Sequence, residues 1–254
     1  MDEQDRKRSV VQKTVWKGVS FGSVLAMVIS YCNWHSVGWA IFHGLLSWVY
    51  VIYYVIRYGF SKKAVERKGW FAMVVVFLAD GFEEVEALAP VDLMRRAGLA
   101  VKLVGVTGRE VTGSHGITVK TDMAAEDVDV AALEAMVLPG GLPGTHNLEA
   151  SPAVQRCIDS CVAQGKLVAA ICAAPSVLAH KGLLKGKNAT AFPNFQKDLE
   201  EGGACLSESY VVRDGQFLTG RGMGVATQFG LALVEALVSP EKASEIRASI
   251  QWEA

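Results

Sequence analysis

The run Phe71–Ala79, FAMVVVFLA, contains no polar side chain. A strand with one face in water alternates apolar and polar residues, whereas a strand apolar at every position must be covered on both faces. Helices packed on both sides of a mostly parallel sheet provide that cover. The rest of the chain repeats the theme. After the loop DGFEEVE, ALAPVDLMRRAG carries a helical pattern that closes on basic residues and Gly98. AVKLVGVTG reads as the next strand, REVTGSHGITVKTD as turns with a short hairpin, and AMVLPGG as a buried strand ending in glycines. SPAVQRCIDSCVAQG is a helix with Ser151 as N-cap, Pro152 in its first turn and Gly165 at its end. KLVAAI is a strand and AAPSVLAHKG a helix. YVVRDGQFLTG sets an Asp-Gly turn between strand-like pieces, VATQFGLALVEALV is an amphipathic helix, and the stretch from Pro240 is helical again. Residues 71–254 therefore predict an α/β sandwich with a mostly parallel central sheet.

The segment before it differs. Apolar residues make up 51% of the chain and mean hydropathy is +0.26, and the excess is local: from Gly18 to Ile56 there is no Asp, Glu, Lys or Arg. Val37–Ile56 is long enough to cross a bilayer as a helix, and Gly18–Trp34 is slightly short. Bulky residues after Ile29 leave no signal-peptide cleavage site. Lys and Arg flank both ends, at Arg6–Lys17 and Arg57–Lys68, and basic flanks stay in the cytoplasm, so an even number of spans follows. Small residues recur every fourth position at Gly18, Gly22, Ala26 and Ser30, and again at Ser36, Ala40 and Gly44, which suits two closely packed membrane helices. The expected organisation is a basic cytoplasmic tail (1–17), a transmembrane helical hairpin (18–60), a linker (61–70) and the α/β domain (71–254), with that domain membrane-anchored in the cytoplasm. A single span with Gly18–Trp34 lying at the interface is the alternative.

The net charge of -1 gives no footprint for nucleic acid. Five cysteines with no CxxC pair argue against a disulfide framework or a zinc site. In parallel sheets, sites form at the C-terminal ends of strands, and three strand ends carry suggestive residues. Cys172 sits at a strand-to-helix junction in Ala170-Ile171-Cys172-Ala173-Ala174. The small flanks suit a strained nucleophile elbow, and a helix start beside the sulfur predicts a lowered thiol pKa. A cysteine there is equally at home as a small buried hydrophobe. The first loop holds Glu83, Glu84 and Glu86. Acids are ordinary at helix starts, but one turned inward toward a thiol would stay protonated and act as acid or base. The glycines of VLPGGLPG let backbone N–H groups approach a ligand. Cys157 and Cys161 share a helix face and read as packing residues, and His180 lies on the elbow helix pointing away. No His-x-Glu pair follows Cys172, which speaks against an amidotransferase triad.

Taken together, DGFEEVEALAPVDLMRRAG, VLPGGLPGTHNL, AAICAAPSVLA, ATAFPNF and LTGRGMGVATQFGLALVEAL resemble the DJ-1/ThiJ/PfpI family, in its ThiJ-like bacterial branch. The resemblance runs from about Phe71 to Ala248. It implies a flavodoxin-like three-layer sandwich, usually homodimeric, with Cys172 as oxidisable nucleophile and Glu86 as its protonated partner. The backbone of Gly140, Gly141 and Ala173 would line an oxyanion site. Animal members place a histidine where this chain has Phe192, and His115 is a possible auxiliary in its stead. Ala173 stands where peptidase-type members have histidine, which argues against peptidase activity. The resemblance implies a cysteine-dependent enzyme of glyoxalase III or deglycase type acting on small α-oxoaldehydes or glycated substrates. No metal or organic cofactor is expected. The alternative is a thiol redox sensor or oxidative-stress protective protein whose Cys172 oxidises to sulfinate without turnover.

Overall fold

The computed structural model describes residues 73–252, together with the isolated helical positions Ala26, Met27, Ile41 and Val49. The chain divides into a unit Met1–Arg67 and a unit Lys68–Ala254, and the sheet belongs to the second. Among the described residues no helix is long and apolar enough to cross a membrane; apart from those four positions, the expected hairpin over 18–60 lies outside them.

The strands are β1 (Met73–Leu78), β2 (Ala100–Gly105), β3 (Glu110–Thr112), β4 (Thr118–Lys120), β5 (Met123–Ala124), β6 (Leu133–Leu138), β7 (Leu167–Ile171), β8 (Asn188–Ala189), β9 (Cys205–Leu206), β10 (Val211–Asp214) and β11 (Phe217–Gly220). Seven of them form the central sheet in the order β10-β11-β7-β6-β1-β2-β5. All pairings in it are parallel except the β10–β11 hairpin, which turns at Gly215. β3 and β4 pair as a separate hairpin.

The helices are α1 (Glu84–Arg96), α2 (Gly144–Ala150), α3 (Pro152–Ala163), α4 (Pro175–His180), α5 (Gln196–Glu201), α6 (Ala226–Leu237) and α7 (Pro240–Ser249). They cover both faces of the sheet. On one face Val75, Phe77, Met136, Leu138 and Val168 pack with Val154 and Ile158 of α3 and Val177 and Leu178 of α4. On the other, Val74, Val76, Leu78, Val137 and Ile171 pack with Ala87 and Met94 of α1 and Phe229 and Val234 of α6. Successive residues of one strand thus enter opposite cores, so β1 needs an apolar residue at every position.

Two local differences from the sequence reading matter. Helix α1 begins at Glu84, inside the stretch read as loop, because the Glu83 side chain caps it by accepting from the Glu86 N–H at 2.7 Å. Helix α2, within LPGTHNLEA, was not anticipated: seven residues are too few to display an apolar period.

Candidate active site

From β1 the chain moves to β2 on one side, while β6 lies against β1 on the other. The loops leaving β1 and β6 therefore diverge at a topological switch point, where an open α/β sheet leaves a crevice at its C-terminal edge. β7 lies next to β6, so its C-terminal loop opens onto the same edge. Glu86, Gly140 and Cys172 follow β1, β6 and β7 respectively.

Cys172 has φ = 65°. A side-chain-bearing residue pays roughly 1–3 kcal/mol for an unfavourable backbone of this kind, and keeps it only where its surroundings over-determine it. Both of its backbone groups are held: its N–H donates to Gly220 O at 2.9 Å, and its carbonyl accepts from Phe192 N–H at 2.9 Å. Ile171, Ala173 and Ala174 around it are buried. The elbow is thus built by β11 and the 190–192 segment as much as by its own alanines.

Opposite it, three backbone and side-chain contacts form a closed circuit. Glu83 N–H donates to Gly140 O at 3.0 Å, Gly140 N–H donates to Glu86 Oε2 at 3.0 Å, and Glu86 N–H donates to Glu83 Oε2 at 2.7 Å. Gly140 has to be glycine, since a Cβ there would lie 2.6 Å from Cys172 Cβ and 2.6 Å from Glu86 Oε2. Gly141, at φ = 88°, packs so closely that a Cβ would fall 2.4 Å from Glu83 N. The missing side chains let the carboxyl and the elbow close on one another.

Glu86 is fully buried, and its Oε1 has no partner in hydrogen-bond geometry. Burial is the main cause that raises its pKa from 4.5 to about 7, with a push from the Glu83 charge, while contacts to the Cys172 thiol and Gly140 N–H pull it back. Burial also pushes the Cys172 thiol up, to about 12, with the charge and hydrogen bond of Glu86 adding, against the pull of the Ala173 and Gly141 backbone N–H groups. This corrects the expectation of a lowered thiol pKa. Helix α4 is only six residues long, and its dipole is outweighed by desolvation and a neighbouring carboxylate. Both groups are thus pushed toward their neutral, protonated forms by the same burial.

The oxyanion expectation changes in detail. Gly140 N–H is spent on Glu86, which leaves the Gly141 and Ala173 N–H groups facing the sulfur. His115 stands elsewhere: its Nδ1 lies 2.9 Å from Glu84 Oε2, its backbone N–H donates to Glu84 Oε1 at 2.8 Å, and its ring is exposed. Glu84 and Glu86 sit two residues apart on one helix, so they leave its axis about 200° apart. The carboxylate that holds His115 therefore points away from the one beside the thiol. Phe192 joins the site through its backbone bond to Cys172 and brings no base. His180 pairs with Glu149 at 2.7 Å. Cys157 and Cys161 are buried in the α3 core, with thiols pushed up to about 11 and about 12 by desolvation. One ligand atom each from Glu83, Glu84 and His115 lies within 4.8 Å of the others, but Glu84 and His115 already satisfy one another. Glu83 was legible in sequence as one of three acids, but its role was not: it caps the helix and holds the Glu86 N–H, for which the signal is an acid three positions before Glu86 at a helix start.

Residues 72–236 match the DJ-1/PfpI family model. The chain belongs to the DJ-1/PfpI family. It is 37% identical to protein dj-1beta of Drosophila melanogaster over 173 residues, covering 68% of this chain and 92% of that protein. It is 33% identical to a deglycase of Thermococcus kodakarensis over 158 residues, covering 59% of this chain and 90% of the relative. The oxidised structure of Toxoplasma gondii DJ-1 superposes with a TM-score of 0.69 at 34% identity, covering 72% of this chain and all (100%) of that one. The α/β fold with its mostly parallel sheet is the flavodoxin-like fold of the DJ-1 structures.

Proposed function

We propose that this DJ-1/PfpI domain is a glutathione-independent enzyme of glyoxalase III or deglycase type, acting on α-oxoaldehydes such as methylglyoxal or on their early adducts with amines and thiols. The observation that carries the reading is a fully buried Glu86, with a pKa near 7, coupled to an elbow cysteine. A relative named as a deglycase supports the same direction. Glu86 carboxylate takes the thiol proton as sulfur adds to the aldehyde carbon. The carbonyl electrons move to oxygen, which the Gly141 and Ala173 N–H groups stabilise before it receives that proton. Glu86 then removes the hydrogen of that carbon as a proton while the neighbouring carbonyl oxygen takes up a proton to give an enediol. Return of the proton to the neighbouring carbon, with loss of the hydroxyl proton from the sulfur-bearing carbon, converts the hemithioacetal into a thioester. Water cleaves the thioester, releasing a 2-hydroxy acid and restoring the thiol. From an amine adduct, the thiol displaces the amine, which leaves with the proton. Lactate formation from methylglyoxal without glutathione tests this, with Cys172→Ala as control; equal rates would end it.

A second reading rests on the unpartnered Glu86 Oε1. A protonated carboxyl there donates to a sulfinate oxygen, so that peroxide would convert Cys172 to a stabilised sulfinate in a redox sensor or protective protein. Intact-mass analysis after mild peroxide separates the readings, and a Cys172 that resists oxidation while turning over removes the second.

The same proposal places residues 18–60 in a membrane as a helical hairpin, with the domain on its cytoplasmic side, on the strength of the uncharged segment between basic flanks. Resistance of the full-length protein to alkaline extraction from membranes checks this. The family resemblance supports a homodimer, which light scattering of the purified protein measures.

A further inference from the structure

A groove of about 470 Å³ runs beside the elbow, lined by Phe192, Pro193, Tyr210, Arg221, Gly222 and Met223 among others. Its size is that of a small-molecule site. Three of its walls are large apolar side chains left open to solvent: Phe192 (42% exposed), Tyr210 (57%) and Met223 (53%). One cation stands among them. Arg221 is fixed at its backbone, where its N–H donates to Tyr210 O at 2.8 Å. Its guanidinium lies over the Tyr210 ring, 5.0 Å from the centroid, and donates from Nη1 to Glu208 O at 3.4 Å. Among the described residues no carboxylate pairs with it. A stacked guanidinium still presents further donors in a fixed fork, which suits a carboxylate held by two parallel hydrogen bonds.

The groove is tied to the reacting centre through the backbone. Gly220, which precedes Arg221, accepts from Cys172 N–H, and Phe192 donates to Cys172 O. The segments that carry the groove's aromatic wall and its cation are therefore the ones that hold the nucleophile's peptide. A small aldehyde has no atoms to fill such a groove, but the amine-bearing half of an adduct does.

We propose that this groove binds the carrier half of the substrate, an amino acid or peptide end with an apolar side chain and a free carboxylate, with the carboxylate on Arg221 and the side chain against Phe192 and Met223. The assignment of this ligand as a substrate rests on the adduct-processing reading above; the binding of the carboxylate does not. The test is calorimetric titration of the full-length wild-type protein with N-acetylphenylalanine and with its amide, two probes of nearly the same shape of which only the acid is charged and offers two acceptor oxygens. The acid binds about tenfold tighter than the amide, the size of a charge-assisted hydrogen-bonding contact. Arg221→Gln removes the preference, and Arg221→Lys keeps part of it. Equal affinity for acid and amide in the wild type, or no saturable binding of either, overturns the proposal without any variant. A preference that survives in folded Arg221→Gln overturns it too. If the acid preference holds while no lactate forms from methylglyoxal, the groove stands as a carboxylate site and the enzymatic reading falls. If lactate forms and the preference is absent, the groove falls alone.

Discussion

Glu86 makes the stability of this domain depend on pH in a way that can be worked out in advance. Its ordinary value of 4.5 applies in the unfolded chain, and burial raises it to about 7 in the folded one. Between these values the folded state holds more protons than the unfolded state, so stability falls as pH rises. The neutral carboxyl is fully tolerated below pH 4.5, and the whole penalty is in place above about 7. At about 1.4 kcal/mol per pH unit, the span is worth about 3 kcal/mol. About 2.5 kcal/mol of this falls between pH 5 and pH 8, so with a urea m-value of about 2 kcal/mol/M the unfolding midpoint should drop by about 1.2 M over that range. Other groups contribute differently. His115, raised by Glu84, loses its stabilising charge over part of the same window and adds a slope of the same sign. Glu84, Asp214 and Glu241 are held below their ordinary values and lose their contributions only at lower pH. Cys172, pushed up to about 12, titrates above the window. The Glu86→Gln variant isolates the carboxyl: it keeps the shape, cannot ionise, and should lose most of the slope. Urea unfolding of both proteins at pH 5, 6, 7 and 8 measures the difference. A wild type as flat as the variant, or a variant as steep as the wild type, would refute the buried carboxyl with its raised pKa.

Gly140→Ala should reduce the lactate rate by about a hundredfold, because its Cβ would sit 2.6 Å from both Cys172 Cβ and Glu86 Oε2 and displace them by a fraction of an ångström or more. The same overpacking should cost about 1–3 kcal/mol in urea unfolding. His115→Ala should leave the lactate rate unchanged, since the imidazole is engaged by Glu84; a loss of about tenfold or more would restore it as an auxiliary base. Iodoacetamide at neutral pH should label exposed Cys205 while sparing Cys157 and Cys161, as peptide mass mapping would show, because both are buried with thiols held up by desolvation.

The sequence by itself determined the layered architecture. FAMVVVFLA cannot leave a face in water, and alternation with amphipathic stretches leaves few arrangements besides helices on both sides of a parallel sheet. It also located the elbow at Cys172, because a β-branched strand end, small flanks and a proline at the next turn are local requirements written in adjacent residues. What each polar group does at the site was decided only by the tertiary structure. Three glutamates within four positions look interchangeable in sequence, yet the helix turns them to different tasks: Glu83 caps, Glu84 holds His115, and Glu86 is sealed beside the thiol. The direction of the Cys172 pKa ran against the local rule because burial and a neighbouring carboxylate come from β6, β11 and α1, elements up to about ninety residues away in the chain. Local sequence encodes backbone geometry, since φ, ψ and caps are settled by near neighbours. Desolvation is settled by whatever else the fold brings to the same point, and at this site it sets the proton inventory of the Cys172–Glu86 pair.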